Sequence, residues 1–449
     1  MGGRKSHDQD GKSGRREQAE KQVRGFARGH GAHHRHRPGK DAPRSVASGR
    51  DRTTENTRRK PLGRMGDDAL WELSNVEKAG EVERRIEKSE EAGAYGTKLE
   101  GFKTRGLVIE VRKGNFLTQV LSDPEPVAPV TDAAVPNAAD PNAKTARKGD
   151  VLKTFVRGTL QQFDLGLSSV VAPGDLIEMI IPPVSGGHEL FQADLHGFLT
   201  YVVPRRSEFR RLHPSGRAIQ TLAANVDRVF VIASTAEPDF RPGFVDRVLV
   251  CAAASGLSAA LVLNKIDLGV SEDDEELLSV YRSLNVPVFK LSVRNAGAAG
   301  SEMEALKDAL ANGRNLLTGH SGVGKSSLLL ALDPALSAER VRTGEVSTQT
   351  GKGTHTTTHA RLFSLDLGNG RRAEVIDTPG VREFTPTETD RRNLWGWFPE
   401  IAKLQGQCPY ADCTHTVEKS CAVLAAVERG EIHPRRHHSY VRIYQTLPH

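Results

Sequence analysis

The run Gly319-His320-Ser321-Gly322-Val323-Gly324-Lys325-Ser326 spaces its residues as G-x-x-x-x-G-K-[ST]. That spacing can hold phosphate. Glycines let a loop turn its N–H groups inward around phosphate oxygens, and a following helix N-terminus adds a favourable dipole. The context agrees: a strand is predicted to end near Thr318, and the apolar run Leu328–Leu332 follows. Lys325 is then expected to reach the β- and γ-phosphates, Ser326 to bind Mg²⁺, and Ser327 to line the loop. The competing reading is a glycine-rich turn that merely starts a helix.

Such a loop does not choose a base. Asn264-Lys265-Ile266-Asp267 can, at the end of the apolar strand Ala260–Leu263. Asp267 can accept two hydrogen bonds from guanine N1–H and its 2-amino group. Adenine offers no matching pair and would leave the carboxylate unpaired. Asn264 would brace the loop, and Lys265 would lie along the ring. Ser292, just past the strand Val286–Leu291, stands where a contact to guanine O6 would come from.

Asp377-Thr378-Pro379-Gly380 ends another predicted strand. Asp377 would hold Mg²⁺ through water, and the Gly380 N–H would sense the γ-phosphate. Between these motifs lies Thr356-Thr357-Thr358, preceded by His355. A threonine of this run, taken here as Thr357, would complete the Mg²⁺ site; which of the three does so stays open. Val381 follows Gly380, where many GTPases carry a water-orienting glutamine, and valine cannot polarise water. Another group must do so. His355 is the nearest candidate, with simple packing of the loop as its alternative, and slow turnover without a partner is expected.

Cys408-x4-Cys413-x-His415-x5-Cys421 supplies three thiolates and one imidazole. That donor set suits a closed tetrahedral Zn²⁺ site better than a disulfide framework or a catalytic centre. The fourth cysteine, Cys251, falls in a predicted helix and reads as core.

These motifs need elements to hold them. After about Gln220, predicted strands at Val229–Ser234, Ala260–Leu263, Val286–Leu291, Asn315–Thr318, Ala360–Leu365 and Ala373–Ile376 alternate with helices such as Gly243–Ala254 and Ser301–Ala311. That alternation predicts a mostly parallel sheet covered on both faces. Upstream, short strands at Leu107–Val111, Asn115–Val120, Asp175–Ile181 and Gly197–Val203 predict a small β-barrel, with Ser122–Gly149 as an inserted loop. Residues 1–60 carry 17 Lys and Arg against 7 Asp and Glu, so the tail is basic while the remainder is mildly acidic. A polyanionic partner and a solubilising disordered tail both account for it. No apolar leader is visible, and Val248–Leu263 is too short and broken to span a membrane. The expected organisation is a basic tail over 1–66, a helical extension over 67–100 and an OB-type barrel over 101–215 with its 122–149 insertion. An α/β nucleotide domain over 216–390 and a mainly helical zinc-binding block over 391–449 follow. A monomeric cytoplasmic protein is the default.

The motif order is permuted. The phosphate loop ordinarily precedes Asn-Lys-x-Asp; here Asn264–Asp267 comes first, then Ser292, the phosphate loop, the Thr run and Asp377–Gly380. Joining old termini can preserve a sheet, because domain termini often lie close together.

In this order and combination the chain resembles the ribosome small-subunit-dependent GTPase A family, circularly permuted bacterial GTPases. Pro204-Arg205-Arg206-Ser207, Ala224-Asn225-Val226-Asp227, Gly319–Ser327, His355–Thr358, Asp377–Gly380 and the Cys/His spacing carry the likeness from about Arg105 onward. The resemblance implies an OB-fold, a permuted GTPase domain and a zinc-binding domain. It implies GTP hydrolysis in late assembly of the small ribosomal subunit, contact with its rRNA, and stimulation by that subunit. It also implies a catalytic role for His355. His320 departs from the glutamine common at its position, and residues 1–100 and Ser122–Gly149 have no counterpart in the pattern. The alternative is a nucleotide-switched RNA-binding module acting on another structured RNA; a signalling GTPase without RNA fits the barrel and basic tail poorly.

Overall fold

A computed structural model of the chain describes residues 101–112, 114–127, 146–156, 170–182, 195–212, 219–295, 300–336, 360–378, 384–387 and 389–447. The tail, the expected helix after Asp67, His355 with the Thr run, and Gly380 lie outside the described residues.

The N-terminal strands close into a barrel. They are β1 (Phe102–Arg112), β2 (Asn115–Val120), β3 (Glu125–Pro126), β4 (Val151–Phe155), β5 (Leu176–Ile181) and β6 (His196–Val202). Pairing runs β1-β2-β4-β6-β5, and β5 returns to β1. Period-two alternation drives Val108, Phe116, Val120, Leu152, Ile177, Met179 and Leu199 inward, where they form one apolar core. Two details differ from the sequence reading. Val151–Phe155 is a further barrel strand, and its adjacent Lys153 and Thr154 break the apolar/polar alternation that would mark it. Inside the expected loop 122–149, Glu125–Pro126 pairs with Phe102 and Lys103.

Next comes a hairpin, β7 (Glu208–Leu212) and β8 (Ile219–Ala224), which forms a sheet of its own. Its register straddles the boundary expected at 215.

The α/β unit holds β9 (Arg228–Ser234), α1 (Pro242–Ala254), β10 (Ser258–Asn264), α2 (Glu272–Ser283) and β11 (Val288–Lys290). It continues with α3 (Gly300–Leu310), β12 (Arg314–Gly319), α4 (Lys325–Leu332), β13 (Arg361–Gly368) and β14 (Arg371–Asp377). The strand order is β11-β10-β9-β12-β14-β13, parallel except for β13. β9 shows why the sheet is covered twice. Val229, Val231 and Ala233 pack with Val245, Val248, Leu277 and Tyr281 of α1 and α2. Phe230 and Ile232 pack with Leu306, Leu310, Leu328 and Leu329 of α3 and α4. A strand buried on both faces reads as a continuous apolar run, as this one does.

The Pro204–Ser207 and Ala224–Asp227 segments join barrel to α/β unit. Arg205 grips Asp175 through Nε and Nη2 at 2.8 and 2.9 Å, while Nη1 reaches Glu208 at 2.8 Å. Asp175 is fully buried, so its charge needs this bidentate partner. Asn225 Nδ2 and Arg314 Nη1 both donate to the Gly174 carbonyl, at 2.9 and 2.6 Å. The β1–β13 pairing of Glu110 with Arg361 makes barrel and α/β strands one continuous sheet.

The C-terminal block contains α5 (Pro399–Ala402), α6 (Ala422–Glu428) and α7 (Pro434–Thr446). Its core includes Phe398, Ile401, Val423, Tyr440 and Ile443, with Val250 contributed by α1. Arg436 on α7 is buried against Asp246 of α1 and Glu400, the latter at 2.6 Å.

Candidate nucleotide site and cysteine-histidine centre

The phosphate loop leaves β12 at Gly319 and enters α4 at Lys325. Side chains are excluded at both ends. A Cβ on Gly319 would lie 2.3 Å from the Ile232 carbonyl oxygen. Gly324 has φ +96°, and a Cβ there would lie 2.3 Å from Asn264 Nδ2. Lys325 is buried, and its Nζ donates to the carbonyls of Gly319 at 2.9 Å and His320 at 3.1 Å. Burial pulls its pKa down, with Asp377 opposing. Ser326 is half-buried, while Ser321, Gly322 and Ser327 are exposed.

The base loop leaves β10 at Asn264. Lys265 has φ 60°, in the left-handed region. Its carbonyl accepts from Thr235 Oγ1 at 2.7 Å, and its Nζ donates to the Glu237 carbonyl. A short 3₁₀ turn, Ile266–Leu268, then presents Asp267. Ser292 Oγ donates to Asp267 Oδ1 at 2.6 Å, so the two predicted base contacts meet. Asn264 ties three loops together: Nδ2 donates to Val323 O at 2.9 Å, and Oδ1 accepts from Val293 N at 3.1 Å. Thus the Asn264–Asp267 loop, Ser292 and the phosphate loop, each 25 residues or more from the next in sequence, converge at the C-terminal ends of parallel strands, where such sheets bind ligands.

Asp377 ends β14 beside the β12 strand. It is 2% exposed, and its Oδ1 has no hydrogen-bond partner among the described residues. Burial raises its pKa to about 6, against the pull of Lys325. A buried carboxylate oxygen left unpaired at a phosphate site fits a cation or its bound water. Thr378 is anchored, with N and Oγ1 donating to Leu317 O at 3.1 and 3.0 Å.

In the C-terminal block the ligand atoms of Cys408, Cys413, His415 and Cys421 all lie within 4.8 Å of one another. Cys408 Sγ and Cys421 Sγ are 3.8 Å apart, and His415 Nδ1 is 3.5 Å from each. Tetrahedral zinc with Zn–S bonds near 2.3 Å places its sulfurs about 3.8 Å apart. Burial pushes the Cys413 and Cys421 thiols up; a bound cation would reverse that. The loop carrying them is fixed by Glu418. Burial opposes its charge, but bonds from Thr414, from its own N–H and from the Val417 N–H hold it down at about 2. His437 Nε2 lies 2.8 Å from His415 O, and Tyr440 donates to Thr414 O at 2.9 Å.

A family profile described as RsgA GTPase matches residues 202–387, which contain every nucleotide motif above. A small ribosomal subunit biogenesis GTPase RsgA of Chlorobaculum tepidum is 37% identical over 308 residues, covering 67% of this chain and 93% of the relative. The chain belongs to the RsgA GTPase family. The RsgA of Chlorobaculum parvum is 40% identical over 246 residues, 55% of this chain and 75% of the relative. The crystal structure of YjeQ from Thermotoga maritima is similar at 25% identity and TM-score 0.49, covering 76% of this chain and 98% of that one.

As an RsgA-family member the chain is a GTP hydrolase. The strand order accounts for its permutation. Counted from β12, the strands follow in the cyclic order β12, β13, β14, β9, β10, β11, so only the chain break has moved. Cys251 is buried in α1, as expected. Three contacts escaped the sequence reading: the Val323 carbonyl, Thr235, and the aromatic pair Phe244–His320. The first two bonds depend on loops that converge only in the fold, and no spacing marks them. Among the described residues, no helix is long and apolar enough to cross a membrane.

Proposed function

We propose that this chain converts GTP and water to GDP and phosphate during late maturation of the small ribosomal subunit, stimulated by that subunit. The observation that supports it most is the near-complete match to relatives named for small-subunit biogenesis, with 93% of one covered. Val381 adds to it: with no water-polarising side chain after Gly380, a slow intrinsic rate raised by a large partner is the expected behaviour.

Asp267 and Ser292 read guanine, with Lys265 and Ile266 forming the loop and Asn264 bracing it. Gly319–Ser327 cradle the phosphates. Lys325 exchanges its bonds to the Gly319 and His320 carbonyls for bonds to phosphate oxygens. Ser326 and Asp377 hold Mg²⁺, which neutralises phosphate charge when bound, and Gly380 senses the γ-phosphate. Thr357 contributes to the Mg²⁺ site and His355 orients water. Cys408, Cys413, His415 and Cys421 hold a structural Zn²⁺. The barrel and the basic tail face rRNA, and the protein acts in the cytoplasm as a monomer. The domain boundaries proposed are those at 66, 100, 215 and 390.

GTP turnover measured with and without purified small subunits tests this reading. A clear rise with subunits is expected. Turnover that small subunits leave unchanged, or that another structured RNA raises equally, would sink it.

A further inference from the structure

Between the end of β9 and the start of α1 the chain runs as a short strap, Ser234–Pro238. The strap is closed on itself: the buried Ser234 donates from Oγ to the Pro238 carbonyl at 2.6 Å. On one side it borders the phosphate loop. A Cβ on Gly322 would lie 3.5 Å from Pro238 Cδ and 3.8 Å from the Glu237 carbonyl oxygen, ordinary contact distances. On the other side three bonds join it to the base loop. Thr235 N donates to the Asn264 carbonyl at 3.2 Å, and Thr235 Oγ1 donates to the Lys265 carbonyl at 2.7 Å. Lys265 Nζ returns a bond to the Glu237 carbonyl.

Lys265 needs this support. Its φ of 60° is left-handed, a conformation that is costly for a residue with a side chain and persists where the surroundings over-determine it. That reversal leads the chain from β10 into the 3₁₀ turn carrying Asp267. A free lysine side chain also has many rotamers, which a ligand would have to freeze on binding. Thr235 fixes Lys265 at its carbonyl, and the Glu237 carbonyl fixes it at its ammonium. The residue is therefore ordered before a base arrives.

We propose that Thr235 is a positioning residue for guanine-nucleotide binding, acting through Lys265 and the turn that follows it. Its hydroxyl proton is committed to the Lys265 carbonyl, so its influence reaches the base through that residue. This deepens the functional reading and rests on its assignment of Asn264–Asp267 as the base loop. GDP and GTP carry the same base. A residue that acts on the base loop changes the binding of both alike and leaves the chemical step alone.

Thr235→Val removes the hydroxyl and keeps the branched shape, whereas Thr235→Ser keeps the hydroxyl. Fluorescent-nucleotide titration, hydrolysis at saturating GTP with small subunits, and thermal midpoint read them. Thr235→Val should weaken GDP and GTP by the same factor, about three- to tenfold. Hydrolysis at saturating GTP should stay within about twofold of wild type. Thr235→Ser should restore both affinities to within about twofold. Affinities that Thr235→Val changes by less than about threefold overturn the proposal, even with a lower thermal midpoint, since a merely structural hydroxyl would give that. A GTP loss well beyond the GDP loss, or slowed hydrolysis at saturating GTP, also overturns it, because either places Thr235 on the phosphate side. So does a Thr235→Ser variant that loses as much as Thr235→Val, which would make the hydroxyl irrelevant. If Thr235→Val does not fold, Thr235→Ala removes the same hydroxyl and is read in the same way. Wild-type protein that binds neither nucleotide overturns the functional reading and this proposal together. Wild-type binding without turnover, with or without small subunits, overturns the functional reading alone, and the titrations still decide this proposal. Subunit-stimulated wild-type turnover with unaltered variant affinities overturns this proposal alone.

Discussion

Asn264 donates from Nδ2 to the Val323 carbonyl at 2.9 Å, joining the base loop to the phosphate loop. Its Oδ1 accepts from Val293 at 3.1 Å and so holds the Ser292 loop as well. Asn264→Ala removes both bonds and leaves a buried carbonyl and N–H unpaired, a cost of about 2–3 kcal/mol. GTP and GDP affinity should fall together, by about 30- to 150-fold. Fluorescent-nucleotide titration measures this, and affinities within twofold of wild type would show that the bridge does not shape the site.

Base choice should follow Asp267. Its carboxylate is presented by the Ile266–Leu268 turn and oriented by Ser292 Oγ at 2.6 Å. Asp267→Asn replaces an acceptor by a donor at one oxygen. GTP affinity should drop by about a hundredfold or more, while xanthosine triphosphate, with a carbonyl in place of the 2-amino group, should gain. Competition between the two nucleotides reads the reversal; a variant that still prefers GTP by the wild-type margin would place base recognition elsewhere.

The difference between what the chain announces and what it conceals lies in contact range. Gly319–Ser326 and Asn264–Asp267 were legible because backbone geometry and ligand chemistry fix residue types at adjacent positions. The Cys/His cluster was legible for the same reason: its four donors lie within fourteen residues, Cys408 to Cys421. The barrel strand Val151–Phe155 was not, since it buries the polar Thr154 and exposes the apolar Val151, and it finds its partners in Asn115–Val120 and His196–Val202. The β7–β8 hairpin hid behind Arg210, Arg211, Gln220 and Thr221, whose polarity masks a strand pair. Arg205 was visible only as part of a family pattern; its partner Asp175 lies 30 residues upstream. Phe384 had no signal at all, because its ring partners Phe209 and Phe244 lie far away in the chain.

The cysteine-histidine centre should hold the C-terminal block rather than the nucleotide. Its three cysteines sit in a core separate from the nucleotide-site cores, anchored by Phe398, Tyr440 and Ile443. Cys413→Ser should release about one equivalent of zinc and lower the thermal midpoint, with nucleotide affinity changed less than about threefold. Elemental analysis and a melting curve check it, and full zinc retention would rule out Cys413 as a ligand.

Arg436 makes a sharper stability test. It is 4% exposed, bonded to Asp246 and Glu400, with its guanidinium 4.7 Å from the Phe398 ring. Arg436→Ala leaves Asp246 buried without its cation, although Tyr281 still donates to it at 2.7 Å. A loss of about 3–5 kcal/mol is expected in denaturant unfolding. Arg436→Lys should recover only part, because an ammonium cannot reproduce the fork between two carboxylates. A loss below about 1 kcal/mol for the alanine variant would mean solvent already screens the pair.

The sheet order has a consequence for synthesis. β12 lies between β9 and β14, yet β14 ends at Asp377, well after the phosphate loop has left the translating ribosome's exit tunnel. Until then a nascent chain can assemble β9, β10, β11 and β12, with one edge of the phosphate-loop strand bare. An unpaired, apolar strand edge invites mispairing. The phosphate loop is thus translated before the strand that completes its pocket, so a truncated product stalled before Arg371 would carry the phosphate-loop sequence without the strand that supplies Asp377.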